Sequence, residues 1–201
     1  MKIIKFKDEQ EWLDARRGRI TGSRLKDIVV KRGTGEKMGF YELIAERLGL
    51  PPEDENPMMR GHDLEPEAIE RFTEATGKNV NTDLVIWERD DNSNIALSPD
   101  GYIGKTEAVE VKCLSSARHI QAVIENVIPS EYHYQMLQYF IVNDSLQKLH
   151  FVFFDPRLNV KDFHMIVVTR QEVQEEIDKM MEYQVLKLAK VDEIVNSLTK
   201  F

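Results

Sequence analysis

The sequence predicts an α/β protein, helices packed as a sandwich around a mixed β-sheet. Stretches with apolar residues at helical spacing come first. Short runs rich in β-branched and aromatic residues follow, then a helix, two more strands and a long final helix. Hydrophobic residues make up 42% of the 201 positions, enough for one real core. No internal repeat or low-complexity linker divides the chain, so residues 1–201 read as one domain.

The elements are justified in order. EWLDARRGRITGSRLKDIVV is helix-forming, breaks at Gly18 and resumes after ITGS, where the hydroxyl of Thr21 or Ser23 is placed to cap the second helix. FYELIAERLGL (40–50) has helical spacing and stops at Gly49 before Pro51 and Pro52, which open a loop running through Pro57. A third helix spans roughly 62–76, carries a Leu64, Ala68, Phe72 stripe and ends at Gly77. NVNTDLVIWE, NIALSPDGYIG and AVEVKC then read as three strands of a meander, joined by the turn-forming DDNSN and GKTE. SEYHYQMLQYFIVND (130–144) reads as a helix capped by Ser130; LHFVFFDP (149–156) and FHMIVVTR (163–170) read as strands. Thr169 and Glu172 make a capping box for an amphipathic helix that runs to about Leu198.

Composition excludes several classes. With one cysteine, Cys113, the chain holds no internal disulfide framework and no cysteine-based zinc or iron–sulfur site. No apolar run is long enough for a membrane span, and the first residues lack the apolar stretch of a secretory signal, so the reducing cytosol is the expected compartment. The net charge of −8 and pI near 5.2 argue against a protein that coats nucleic acid by bulk electrostatics, while leaving room for locally basic sites. The acidic runs PEDEN (52–56), ERDD (88–91) and QEEIDK (174–179) read as solvated faces or loops.

The chemistry concentrates in SPDGYIGKTEAVEVKC (98–113). Val109, Glu110, Val111 and Lys112 alternate with the period of a strand, which sets Glu110 and Lys112 on one face. A solvated outer face is the bland explanation. The alternative is that Asp100, in a Pro-Asp-Gly turn, meets them to hold a metal ion for phosphodiester hydrolysis. Asp100, Glu110 and the Val111 carbonyl would be ligands, and Lys112 would hold or deprotonate the attacking water. Burial and a metal lower the Lys112 pKa while two carboxylates raise it, so its protonation state stays open. Glu65 lies near the start of the third helix, where a solvated charge complementing the helix dipole is the simpler reading. Gln135 and Gln138 stand on an otherwise apolar helix, either in a core hydrogen bond or reaching toward the scissile region. Arg16, Arg17, Arg19 and Arg24, with the hydroxyls of Thr21 and Ser23, make a candidate terminal-phosphate pocket.

Together these segments resemble a known family: phage lambda exonuclease and its viral-recombinase relatives, within the PD-(D/E)XK, restriction-endonuclease-like fold. The matching blocks, in order, are W…R-x-G-x-I-T-x-S (Trp12, Arg16, Gly18, Ile20, Thr21, Ser23), G…E…F (Gly61, Glu65, Phe72), SPDG (Ser98 to Gly101), E-x-K-C (Glu110, Lys112, Cys113), Q-Y (Gln138, Tyr139) and F-D-P-R (Phe154 to Arg157). The resemblance implies an ATP-independent, Mg²⁺-dependent exonuclease with two ions per site (Mn²⁺ as a substitute). It would degrade one strand of duplex DNA from the 5′ end, releasing mononucleotides and leaving a 3′ overhang for a phage single-strand annealing protein in the bacterial cytoplasm. A homotrimeric ring threaded on DNA accounts for processivity without a basic surface. By the same resemblance Asp100, Glu110 and Val111 bind one metal and Glu65 the second, Lys112 and Gln138 position the water, and Arg16, Thr21, Ser23 and Ser98 hold the 5′ phosphate. The chain departs from the family in spacing its glutamines as Gln135-Met136-Leu137-Gln138 rather than Q-x-Q; Gln138 is the preferred one. It is also slightly shorter and carries the acidic loop 51–57. Competing readings are a PD-(D/E)XK endonuclease, a CRISPR-adaptation type of nuclease, disfavoured by the single cysteine, and a non-catalytic DNA-end binder.

Overall fold

The structure is a computed structural model that describes residues 1–30, 37, 40, 43, 46–47, 59–114, 116–158 and 161–199, with backbone only for 59–62, 116–118 and 120. The elements described are β1 (Lys2–Lys5), α1 (Glu9–Arg16), α2 (Gly22–Ile28), α3 (Met59–Thr76), β2 (Val85–Glu88), β3 (Ala96–Leu97), β4 (Gly101–Ile103), β5 (Glu107–Lys112), α4 (Ser116–Glu125), a 3-10 turn (Ser130–Tyr132), α5 (His133–Val142), β6 (Lys148–Phe154), β7 (Phe163–Thr169) and α6 (Arg170–Thr199). Phe40, Leu43, Glu46 and Arg47 are helical, as FYELIAERLGL predicts; the rest of that stretch and the loop 51–57 lie outside the described residues.

The strands form two sheets, ordered β1-β2-β3 and β4-β5-β6-β7. The second is mixed, because β5 and β6 run parallel while its other pairs are antiparallel. The expected mixed sheet flanked by helices is therefore present, but the expected meander is not. NIALSPDGYIG reads as one strand, yet it splits at Pro99 and Asp100. Ala96 and Leu97 pair with β2 in one sheet, whereas Gly101 to Ile103 pair with β5 in the other. Proline has no N–H to continue a ladder, so the chain changes sheets there.

Sequence reading passes over two elements. KIIK forms β1 only by pairing with β2 eighty or more positions away, and SARHIQAVIE forms α4. The α2 helix begins at Gly22, and Thr21 at its N-cap makes no capping bond through its hydroxyl. Ser130 opens the 3-10 turn rather than capping α5. Gly77 ends α3 in the left-handed region (φ +69°) with its N–H on the Thr73 carbonyl at 2.8 Å, as its place after the stripe predicts. At the start of α6, Glu172 reaches back to the Thr169 N–H at 2.7 Å and also accepts from the Thr169 hydroxyl, which is half of the expected capping box.

The four-stranded sheet is covered on both faces. Val109, Val111, Val152 and Phe154 pack against Ala68 and Phe72 of α3. The opposite face joins a larger cluster in which Ala108, Leu149, Phe151 and Phe153 meet Leu137, Tyr139 and Phe140 of α5 and Val173 and Ile177 of α6. Burying strands on both faces normally demands continuous apolar sequence, and β5 breaks that rule at Glu110. The ERDD run is not wholly solvated either: Glu88 is buried at the end of β2 and pairs with Arg19 at 2.5 Å.

Two stability predictions arise here. Gly101 starts β4 directly after Asp100, and a Cβ there would collide with Val80 Cγ1. Gly101→Ala is expected to cost about 1–3 kcal/mol through overpacking, read as a fall in melting temperature of roughly 2–4 °C per kcal/mol. At the other end of β5, Glu107 takes an ion pair from Lys78 and a 2.6 Å hydrogen bond with buried His150. Lys78 first, and His150 after it, hold the Glu107 carboxyl below its ordinary 4.5, against the opposing effect of burial. A depressed carboxyl stabilises the fold above its unfolded value, and that contribution is lost as pH falls through the folded one. In urea titrations the gap between wild type and Lys78→Met should thus be widest above pH 4.5 and close in more acidic solution; a gap independent of pH would count against the pair.

Candidate active site

The site begins where β4 stops pairing with β5. The register sets Gly101 opposite Val109, so one further step sets Asp100 opposite Glu110. Directly opposed residues of an antiparallel pair have their Cβ atoms about 4.5–5.5 Å apart, and like charges there repel. The Val111 N–H, left without a strand partner on that side, donates to Asp100 Oδ2 at 2.7 Å. A strand residue turns its N–H and C=O to the same side, so the Val111 carbonyl also faces Asp100.

Glu110 is fully buried. Its Oε1 accepts from the Lys112 ammonium and from Gln135 Nε2, and its Oε2 accepts from the Tyr139 hydroxyl at 2.5 Å. The Tyr139 oxygen also lies 3.4 Å from the Asp100 N–H. Lys112 sits over the Tyr132 ring, 5.1 Å from its centre. The solvated-face explanation of E-x-K is thereby excluded.

The electrostatics follow from crowding. Burial, then the charge of Glu110, then that of Glu65 push the Asp100 carboxyl well above its ordinary value, with Lys112 and the Val111 N–H opposing. Burial works against the Lys112 charge, but Glu110 and Asp100 outweigh it and hold its pKa above normal, so Lys112 is an ammonium at neutral pH. Burial and the same two carboxylates push the Tyr139 phenol well up, which keeps it a proton donor. Three carboxylates thus act on one place, with Lys112 opposing them.

That donor set fits a hard divalent cation, which takes oxygen ligands and commonly only one or two carboxylates, completed by water. Among the described residues no three His, Cys, Asp or Glu side chains are gathered into a ready cage. The fit therefore rests on the Asp100 and Glu110 carboxylates with the Val111 carbonyl beside them.

The front of the chain lies against this site. Ile20 bridges to Ile95, and the Cα of Gly22 is so close to Leu97 and Gln135 that a Cβ would clash with Leu97 Cδ1 and press on Gln135 Cγ. Arg16 Nη2 reaches Ser23 Oγ at 3.5 Å, with its guanidinium stacked 4.5 Å over Trp12. Thr21 is buried, and the Ser98 hydroxyl is buried without a hydrogen-bond partner among the described residues. The other three arginines are turned to carboxylates: Arg24 forks onto Glu46 at 2.5 and 2.6 Å, Arg19 onto Glu88, and Arg17 onto Asp14. Of the four, Arg16 is the one that reaches the Ser23 hydroxyl.

The structure separates the two glutamines. Gln138 does not approach the carboxylates; its amide is spent on the Ile20 and Ala96 carbonyls and on Gln184. Gln135 is the one on Glu110, because it shares a helix face with Tyr139 four positions on. Tyr139 was legible only as half of the Q-Y block. The signal that finds it is the spacing of two polar residues by one helical turn on an apolar helix.

The fold has counterparts among solved structures. The alkaline exonuclease LHK-Exo from Laribacter hongkongensis superposes with a TM-score of 0.81 at 27% identity, covering 96% of this chain and 97% of that one. A second structure, LHK-Exo in complex with dAMP, gives 0.82 at the same identity and coverage. A phage related exonuclease from Haemophilus somnus 129PT, at 16% identity, a TM-score of 0.59 and 90% and 96% coverage, shares the fold. No curated protein matches the sequence. Fold and site define the class, an exonuclease of the restriction-endonuclease-like fold. More particularly, the YqaJ-like viral recombinase domain matches residues 11–145, and the chain belongs to that family.

Proposed function

We propose that this exonuclease is Mg²⁺-dependent and degrades one strand of duplex DNA from its 5′ end, releasing mononucleotides and leaving a 3′ overhang. The observation that carries the reading is the opposition of Asp100 and Glu110 across β4 and β5, with Lys112 on Glu110. Asp100, Glu110 and the Val111 carbonyl would hold one ion, and Glu65, whose charge acts on Asp100, would serve a second. A bound divalent ion supplies Lewis-acid stabilisation of the phosphoryl oxygens and a more acidic water. Lys112 holds the attacking water, with Gln135 beside it in the role the sequence assigned to Gln138. Tyr139 fixes Glu110 by donating to it. Arg16, with Ser23, Thr21 and Ser98, receives the 5′ phosphate at a place that Gly22 keeps in contact with Gln135.

The resemblance extends the proposal: one domain over residues 1–201, acting as a homotrimeric ring on DNA ends with a phage annealing protein in the bacterial cytoplasm. Among the described residues no helix is long and apolar enough to cross a membrane. The test uses linear duplex labelled at one 5′ end and a closed circle, each with Mg²⁺ or EDTA. Labelled mononucleotides from the linear duplex alone, absent in EDTA, are expected. Cleavage of the closed circle would favour an endonuclease, and binding without turnover in any metal would favour an end binder.

A further inference from the structure

Gln138 is fully buried, and its amide spans three parts of the chain. Its Nε2 donates to the Ile20 carbonyl at 2.9 Å and to the Ala96 carbonyl at 3.3 Å; its Oε1 accepts from Gln184 Nε2 of α6 at 2.9 Å. The first carbonyl leads directly into Thr21, Gly22 and Ser23, and the second into Ser98 and Asp100. Apart from this clamp, the two segments are joined by an isolated bridge rather than a ladder: Ile20 N to Asn94 O at 2.9 Å and Ala96 N to Ile20 O at 3.1 Å. We infer that Gln138 is a positioning residue that fixes the spacing between the 5′-phosphate pocket and the catalytic carboxylates, and with it the number of nucleotides released per cut. The inference rests on the phosphate pocket proposed above.

A purely structural glutamine is the competing explanation, and the packing weighs against it. Leu137 and Tyr139, its neighbours on α5, are equally buried, so an apolar side chain at 138 would fill the core without polar demands. Instead Gln138 brings in a second buried amide, Gln184, whose own Oε1 has no hydrogen-bond partner among the described residues. The orphaned buried acceptor is a cost that the fold bears while Gln138 holds two loop-side carbonyls in place. The geometry at stake is small but sensitive, since a displacement of about 1 Å can cost on the order of 100-fold in rate.

The experiment compares wild type, Gln138→Met and, as a core variant without the clamp, Leu137→Ala. End binding is measured in EDTA by fluorescence anisotropy on duplexes with a 5′ phosphate or a 5′ hydroxyl, and product length is measured in Mg²⁺. Gln138→Met is expected to reduce the wild-type preference for the phosphate by about tenfold and to release dinucleotides beside mononucleotides, whereas Leu137→Ala keeps both wild-type patterns at lower stability. Retained preference and uniform mononucleotides in Gln138→Met would overturn the inference, as would the same losses in Leu137→Ala. A wild type that ignores the phosphate would sink the pocket itself, and product length alone would then decide the role of Gln138. Should Gln138→Met fail to fold, Gln184→Met, which frees the Gln138 amide from one side, carries both readouts with the same expected direction.

Discussion

Asp100→Asn is expected to abolish cleavage and, in EDTA, to raise the melting temperature. The two effects share one cause. Asp100 stands opposite Glu110 in the strand register, and burial together with the charges of Glu110 and Glu65 pushes its carboxyl well up. A carboxyl whose folded pKa lies above its unfolded value binds protons more tightly in the native state. It therefore destabilises the fold progressively as pH rises from the ordinary 3.8 through the folded value, and the cost stays in full above it. Asparagine keeps an oxygen to accept the Val111 N–H and removes the charge. Each kcal/mol recovered should appear as roughly 2–4 °C in a chain of this size. Added Mg²⁺ should then raise the wild-type melting temperature and leave that of the variant unchanged. Cleavage should fall by about 10³-fold or more, since a ligand to a Lewis acid supports several kcal/mol of transition-state stabilisation. A variant that melts lower than wild type in EDTA would contradict the crowding argument even if it were inactive.

The same crowding explains what was legible beforehand. Glu110 and Lys112 announce themselves because charge within a Val-rich strand needs a reason, and the Pro-Asp-Gly turn supplies the third group at hairpin distance. The core stripe Leu64, Ala68, Phe72 and the stop at Gly77 are likewise local properties, and α3 carries both. What stayed hidden depends on contacts between distant residues. KIIK is four residues long and becomes a strand only against Val85–Glu88. Pro99 divides one apparent strand between two sheets, which no local propensity announces. Gln135 and Gln138 differ by less than one helical turn on a helix buried nearly all round, so only the packing of Ile20 and Ala96 against α5 decides which amide meets Glu110. Nothing local in the sequence tells that Arg24 and Arg19 are to meet Glu46 and Glu88, which arrive from elsewhere in the chain.

Lys112→Met should also lose most of its cleavage and shift stability in the opposite direction from Asp100→Asn. The ammonium opposes the carboxylate charges that act on Asp100, and it bonds directly to Glu110. Methionine keeps the apolar stem near Tyr132 and removes the charge. Glu110 then retains Gln135 and Tyr139 as donors but loses its counter-ion, with its side chain 1% exposed. Removing one partner of a buried pair typically costs about 3–5 kcal/mol, and the remaining donors together with the 19% exposure of the Lys112 side chain place this case at the lower end. Because the folded pKa of Lys112 is raised above 10.5, its stabilisation is present in full below 10.5 and fades only as pH climbs through the folded value. Urea titrations in EDTA across neutral pH should thus show a constant deficit for Lys112→Met, where Asp100→Asn shows a gain. Cleavage should fall by about 10²–10⁴-fold, the range for losing a group that positions or transfers the proton of an attacking water. If Lys112→Met proved as stable as wild type, the pair would contribute no net stability. If it also kept its activity, the water-holding role would pass to Gln135.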